Sequence, residues 1–137
     1  MVWHSLFVSI HAATAILGLG PILVIGLAGA LPLEPSAVIR LARPVLRLVG
    51  VSLVLMLLSG LALAWLDGWA PARQGWFHAS LALYLGLGAL HGVAMGATRG
   101  QASEADGSAR VARLRKSSWA MSAVVGLLAV LMTLRPG

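Results

Sequence analysis

Four histidines, His4, His11, His78 and His91, are the side chains of this sequence best able to do chemistry. A neutral imidazole is the commonest protein metal ligand and also binds haem iron axially. The chain contains no cysteine, which excludes a disulfide framework, a thiolate metal site, c-type haem attachment and a thiol nucleophile. His4 and His11 are seven residues apart, so on one helix they lie about 20° from a common face and roughly 10 Å apart along it. His78 and His91 are thirteen apart, which places them about 140° apart around a helix and roughly 20 Å along it. These two cannot face one interior on a regular helix.

The elements that must carry these histidines follow from composition. The chain has 137 residues, 59% hydrophobic and only 10% charged, whereas a soluble domain of this size carries roughly 25% charged residues. Too little charge is present to coat a water-facing surface. At about 20 apolar residues per span, the expected architecture is all-α, a single integral membrane domain of four transmembrane helices over residues 1–137. The spans are expected at residues 3–31, 47–66, 76–97 and 117–134, joined by basic connections at 32–46 and 98–116. The first apolar stretch is too long for a signal peptide and reads as a retained span. Before the second span, Ser36 is the expected helix N-cap, and Arg40, Arg43 and Arg47 fall on one face of an amphipathic lead-in at the headgroups. Pro44 should bend the chain between lead-in and span. The run from Gly100 to Ser108 reads as a flexible loop.

The net charge of +6 is an orientation signal. Arg40, Arg43, Arg47, Arg99, Arg110, Arg113, Arg115 and Lys116 lie on the side of the two basic connections, with only Arg73 and Arg135 opposite. By the positive-inside rule both termini face outward, to the periplasmic side of a bacterial-type inner membrane. Trp3, Trp65, Trp69 and Trp76 cluster at the outer interface and Trp119 at the inner one, the depths that amphipathic rings prefer. Membrane lipid, not nucleic acid, is the expected partner of the charges.

No Asp, Glu, Lys or Arg occupies the core of a span, which argues against a proton-coupled transporter or pump. Two candidate sites remain. An outer one draws on His4, His78 and His11; an inner one draws on His91 with Met95 at i+4 and Met121 from span four. Tyr84, Gly88, His91 and Met95 share a helical face beside a ridge of Gly88, Gly92 and Gly96, and Ser118, Ser122 and Gly126 make a second ridge. These ridges should bring helices close, within the bundle in preference to across a homodimer. His11 has Gly18 one repeat along its own face, and a histidine beside small residues is what a haem crevice needs. Ordinary packing gives the same pattern. His4 and His78 read equally as interfacial hydrogen-bonders, and His11 and His91 as interhelical ones. Pro21 leaves the Leu17 carbonyl without its helical donor.

The chain resembles the group of small four-span membrane proteins that includes the HemJ-type protoporphyrinogen oxidases and the CopD-type copper-resistance proteins. The likeness is sharpest from Gly75-Trp76-Phe77-His78-Ala79-Ser80-Leu81 to His91, similar to a HemJ pattern of Trp-Leu-His-Ala-Lys-Leu with a second histidine thirteen residues on. His11 stands at the position of that family's first-helix histidine, Arg115 matches an arginine before the last helix, and Arg135-Pro136 resembles the family's basic-Pro ending. The resemblance implies haem b as cofactor, with His11, His78 and His91 as cofactor-binding residues. Ser80 stands where HemJ proteins carry lysine, Ser118-Trp119 where they carry Asn-Glu, and Gly18 near their tryptophan. Those departures point to haem binding or redox work over the oxidation itself. The alternatives are a CopD-like copper protein, with His4, His11, His91 and Met95 as metal ligands and Met56 or Met121 in reserve, and a non-catalytic membrane subunit or anchor. A homodimer or larger membrane complex is compatible with each.

Overall fold

The structure is a computed structural model that describes residues 2–99 and 104–134. Arg135, Pro136 and residues 100–103 of the polar stretch lie outside the described residues. The chain forms a four-helix transmembrane bundle of α1 (Val2–Ala28), α2 (Pro35–Leu66), α3 (Gly75–Ala97) and α4 (Glu104–Leu134). Each helix is long and apolar enough to cross a membrane. In hydrocarbon every backbone amide must find its partner within the segment, which is why these apolar runs form helices throughout.

Three details differ from the sequence expectations. The N-cap of α2 is Glu34 with Pro35 in the first turn, the position proline tolerates because its missing N–H has no helical acceptor. Ser36 instead donates its hydroxyl to the Glu34 carboxylate at 3.2 Å. Pro44 lies inside a single helix, so the basic lead-in, expected as a connection, is continuous with the span in α2. Arg40 and Pro44 are exposed at the basic end, where water and headgroups can take over the carbonyl that proline leaves unbonded. Finally, much of the expected loop is helix. Arg110, Arg113, Arg115 and Lys116 sit on the first turns of α4, as their strong helix propensity favours.

The α2–α3 corner is tight. Gly68 and Trp69 both take left-handed backbone angles, φ 62° and 60°, and the Trp69 amide reaches back to the Ala64 carbonyl at 2.8 Å. A single 3-10 turn, Ala70–Arg73, then leads into α3.

The bundle is apolar on both sides. Ile22, Leu46, Val49, Leu87, Leu114 and Met121 are wholly buried along its centre, yet Ile16, Val24, Leu41 and Leu85 point outward. In the spanning window of α2 33% of residues are buried, against 17% in α3, so α2 is the more enclosed helix and α3 the peripheral one. The α1 helix packs along α2 and α4, and α4 along α3, while α2 and α3 meet sparsely.

Glycines decide where backbones approach. A Cβ on Gly18 would lie 2.7 Å from the Ser52 Cβ, and one on Gly29 would lie 3.2 Å from the Arg115 Cβ. By contrast, Gly88, Gly92, Gly96 and Gly126 have nothing within 4 Å of such a position. The expectation that both ridges pack within the bundle is therefore corrected for the glycines of α3, which point outward, whereas Ser118 at the start of the α4 ridge is wholly buried and faces Gly26 of α1. Gly18→Ala should accordingly lower stability by about 1–3 kcal/mol through overpacking against Ser52. The neighbouring Gly20→Ala, with nothing within 4 Å, should be neutral or stabilising. Thermal unfolding in detergent compares the two.

Candidate functional site

Three side chains from flanking helices converge on the backbone of α2. From α3, His91 Nε2 lies 2.9 Å from the Leu46 carbonyl oxygen, and the Tyr84 hydroxyl donates to the Leu53 carbonyl. From α1, His11 Nδ1 lies 3.0 Å from the Met56 carbonyl oxygen and 3.0 Å from Ser59 Oγ. Ser59 itself donates to Met56 O at 3.1 Å. A carbonyl can only accept, so in the neutral rings the bonded nitrogens carry the protons. That leaves His91 Nδ1 and His11 Nε2 as the unprotonated nitrogens.

The two histidine contacts share one design. His91 lies across Gly50, where a Cβ would come within 3.0 Å of its Cε1, and His11 lies across Gly60, where the corresponding distance is 3.2 Å. In each case the accepting carbonyl is four residues before the glycine. Positions i and i+4 share a helix face, so a missing Cβ at i+4 opens the carbonyl of i to a side chain from outside. Neither glycine stood out in the sequence, because each sits in a long apolar run. Glycine is otherwise poor in a helix, and that was the signal available.

The α3 contacts also set the register. Tyr84 and His91 are seven residues apart, and they meet Leu53 and Leu46, seven apart in the opposite sense. Two turns of α3 are thereby held antiparallel to two turns of α2.

Between these helices lies an open groove of about 610 Å³ lined by Arg47, Gly50, Val51, Val54, Leu55, His91 and Met95. The structure thus brings His91 and Met95 together, as expected from their spacing, and adds Arg47. The other expected methionines are elsewhere: Met121 is wholly buried in the core and Met56 nearly so. His11 stands on a different side of α2, ten residues along from the His91 contact, which is about 15 Å of helix rise. Gly18 does not open a crevice beside His11, since Ser52 fills that space.

The outer histidines are exposed. His4 Nε2 is 3.6 Å from Asp67 Oδ1, a water-facing pair, and such pairs contribute little stability. His78 Nδ1 lies 3.3 Å from the Gln74 carbonyl at the start of its own helix and meets the Phe77 ring edge-on. Among the described residues no group of three or more His, Cys, Asp or Glu is placed to hold a metal ion.

No family model, curated protein or solved structure matches the chain.

The histidine–glycine contact at Gly60 predicts a coupled effect. Gly60→Ala should destabilise the bundle by about 1–3 kcal/mol by driving its new Cβ into the His11 ring. In the Gly60→Ala/His11→Ala double variant the ring is gone, so the two losses should fall well short of additive. Additive losses in a double-mutant cycle would show that the contact does not set the helix spacing.

Proposed function

We propose that the protein is a haem-binding or redox protein of a bacterial-type inner membrane, with the α2–α3 groove as its site and His91 as the principal ligand. The observation that carries this reading is the convergence of His91, Met95 and Arg47 on one apolar groove. Its volume lies within the roughly 300–1,000 Å³ of small-molecule sites. The donor set fits haem b. The Leu46 hydrogen bond leaves the His91 Nδ1 lone pair available and fixes the ring, as the outer hydrogen bond of a metal-bound histidine does. Val51, Val54 and Leu55 offer the macrocycle apolar walls, and the Arg47 guanidinium suits a propionate carboxylate. Bound haem supplies one-electron chemistry. The protein's part is to orient the imidazole, hold the carboxylate and keep the edge in hydrocarbon.

His11, with its Nε2 unprotonated, and the exposed His78 are secondary ligand candidates; His11 lies too far along α2 to share an iron with His91. The basic end of the bundle faces the cytoplasm in this reading, with both termini outside. The outward glycine face of α3 suits contact with a second copy or another membrane protein.

One observation favours copper as the alternative. His91 and Met95 offer an imidazole and a thioether in the same groove, and soft thioether ligands select Cu(I). A non-catalytic membrane subunit is the remaining alternative, supported by the interhelical hydrogen bonds of His11 and His91.

Purified from haem-replete cells, the protein should show a Soret band. His91→Ala should lower haem affinity about tenfold or more, and Gly50→Ala, which displaces the same ring, should act in the same direction. His11→Ala should leave the band nearly intact. A colourless protein containing copper would replace haem with the copper reading, and one containing neither would leave the subunit reading.

A further inference from the structure

A second groove, independent of the histidines, runs between α3 and α4. It measures about 570 Å³ and is walled by Leu90, Val93, Ala109, Ala112 and Ala120, with Arg113 and Lys116 at its rim and Ser117 beside them. We infer that this groove binds one anionic phospholipid, an acyl chain lying along Leu90, Val93 and Ala120 and the headgroup phosphate held by Arg113 and Lys116.

The walls admit a chain because they are built of small residues. On the membrane side of the two cations the small Ala120 leaves the α4 face open to a chain, with Leu90 and Val93 opposite, and on the other side Ala109 and Ala112 leave room for the headgroup. Ser117 gives the groove no donor: its hydroxyl turns back to the Arg113 and Leu114 carbonyls, at 3.0 Å each. The site therefore selects through its two cations alone.

Those cations are free to do so. Arg113 and Lys116 are exposed and stand one turn apart, and among the described residues neither has an ion-pair or hydrogen-bond partner for its side chain. Arg110, one turn earlier, is engaged with the Arg99 carbonyl at 2.7 Å, where it closes the end of α3. Depth is consistent as well. Arg113 and Lys116 stand immediately before the uncharged run 117–134 of α4, the level of lipid headgroups. Leu90 and Val93 lie in the last turns of α3, within the adjoining leaflet. A zwitterionic lipid would bring its own cation to the same rim and lose the attraction.

Native mass spectrometry of the full-length protein, titrated with phosphatidylglycerol and phosphatidylcholine of identical chains, tests this. The wild type should retain phosphatidylglycerol with about tenfold or greater preference, as expected for two cations near one phosphate. Arg113→Ala/Lys116→Ala should abolish the preference, and Ala120→Leu, which fills the groove and keeps the charges, should lower retention of both lipids. Arg43→Ala, an exposed cation of α2 that does not line this groove, should leave the preference unchanged. Glycerol phosphate without chains should not compete. Equal retention of the two lipids, an undiminished preference in the double variant, an equal loss in Arg43→Ala, effective competition by glycerol phosphate, or a lipid-free dimer would each overturn the proposal.

Discussion

Hydrocarbon gives two apolar helices no reason to associate, because lipid tails are as good a neighbour as leucine. What draws this bundle together must then be close backbone approach and hydrogen bonds between helices. The second of these is concentrated on α2. Its carbonyls at Leu46, Leu53 and Met56 each accept from a side chain of a flanking helix. Those carbonyls already serve their own helix, so the added bonds cost α2 nothing in regularity. Individually such bonds contribute about 0.6 kcal/mol on average in membranes, which is modest. Their larger effect is on register, since two of them from one helix fix its position both along and around α2.

Much of the architecture was legible because the solvent imposes it. A run of about 20 apolar residues has one stable form in a bilayer, and Val2–Ala28, Gly75–Ala97 and the apolar halves of α2 and α4 all take it. The basic connections were less legible. A polar composition reads as loop, yet the Ala, Arg, Lys and Leu residues between Ala109 and Lys116 are strong helix formers and simply continue α4 outward.

Contacts between helices were the hardest to read, and the glycines show why. The repeat of Gly88, Gly92 and Gly96 is conspicuous by spacing, but spacing describes one surface and says nothing of what faces it. The structure leaves that surface outward and builds its close contacts at Gly18, Gly50 and Gly60. Each of these works only in combination with a particular partner, Ser52, His91 or His11, some 30 to 50 residues away in the chain. The pairing of His91 with Met95 was legible because both lie on one helix at i, i+4. The addition of Arg47 was not, because it depends on the α2–α3 register.

The two histidine contacts look alike locally but sit in unlike surroundings, and that difference assigns them different work. His11 enters the well-packed α1–α2 seam, where Ser52 occupies the space at Gly18 and Ser59 takes part in the hydrogen bonding. The half-buried His11 ring acts there as a clamp between the two helices. His91 crosses the sparse α2–α3 seam, where the same kind of carbonyl bond holds the ring beside an open groove. Tyr84 and His91 bridge that seam at two points two helical turns apart, keeping α3 in register with α2, and the groove opens beside His91. An imidazole, a thioether and a guanidinium thus meet at an open groove on the α3 side of α2, whereas the α1 side is closed by direct helix packing.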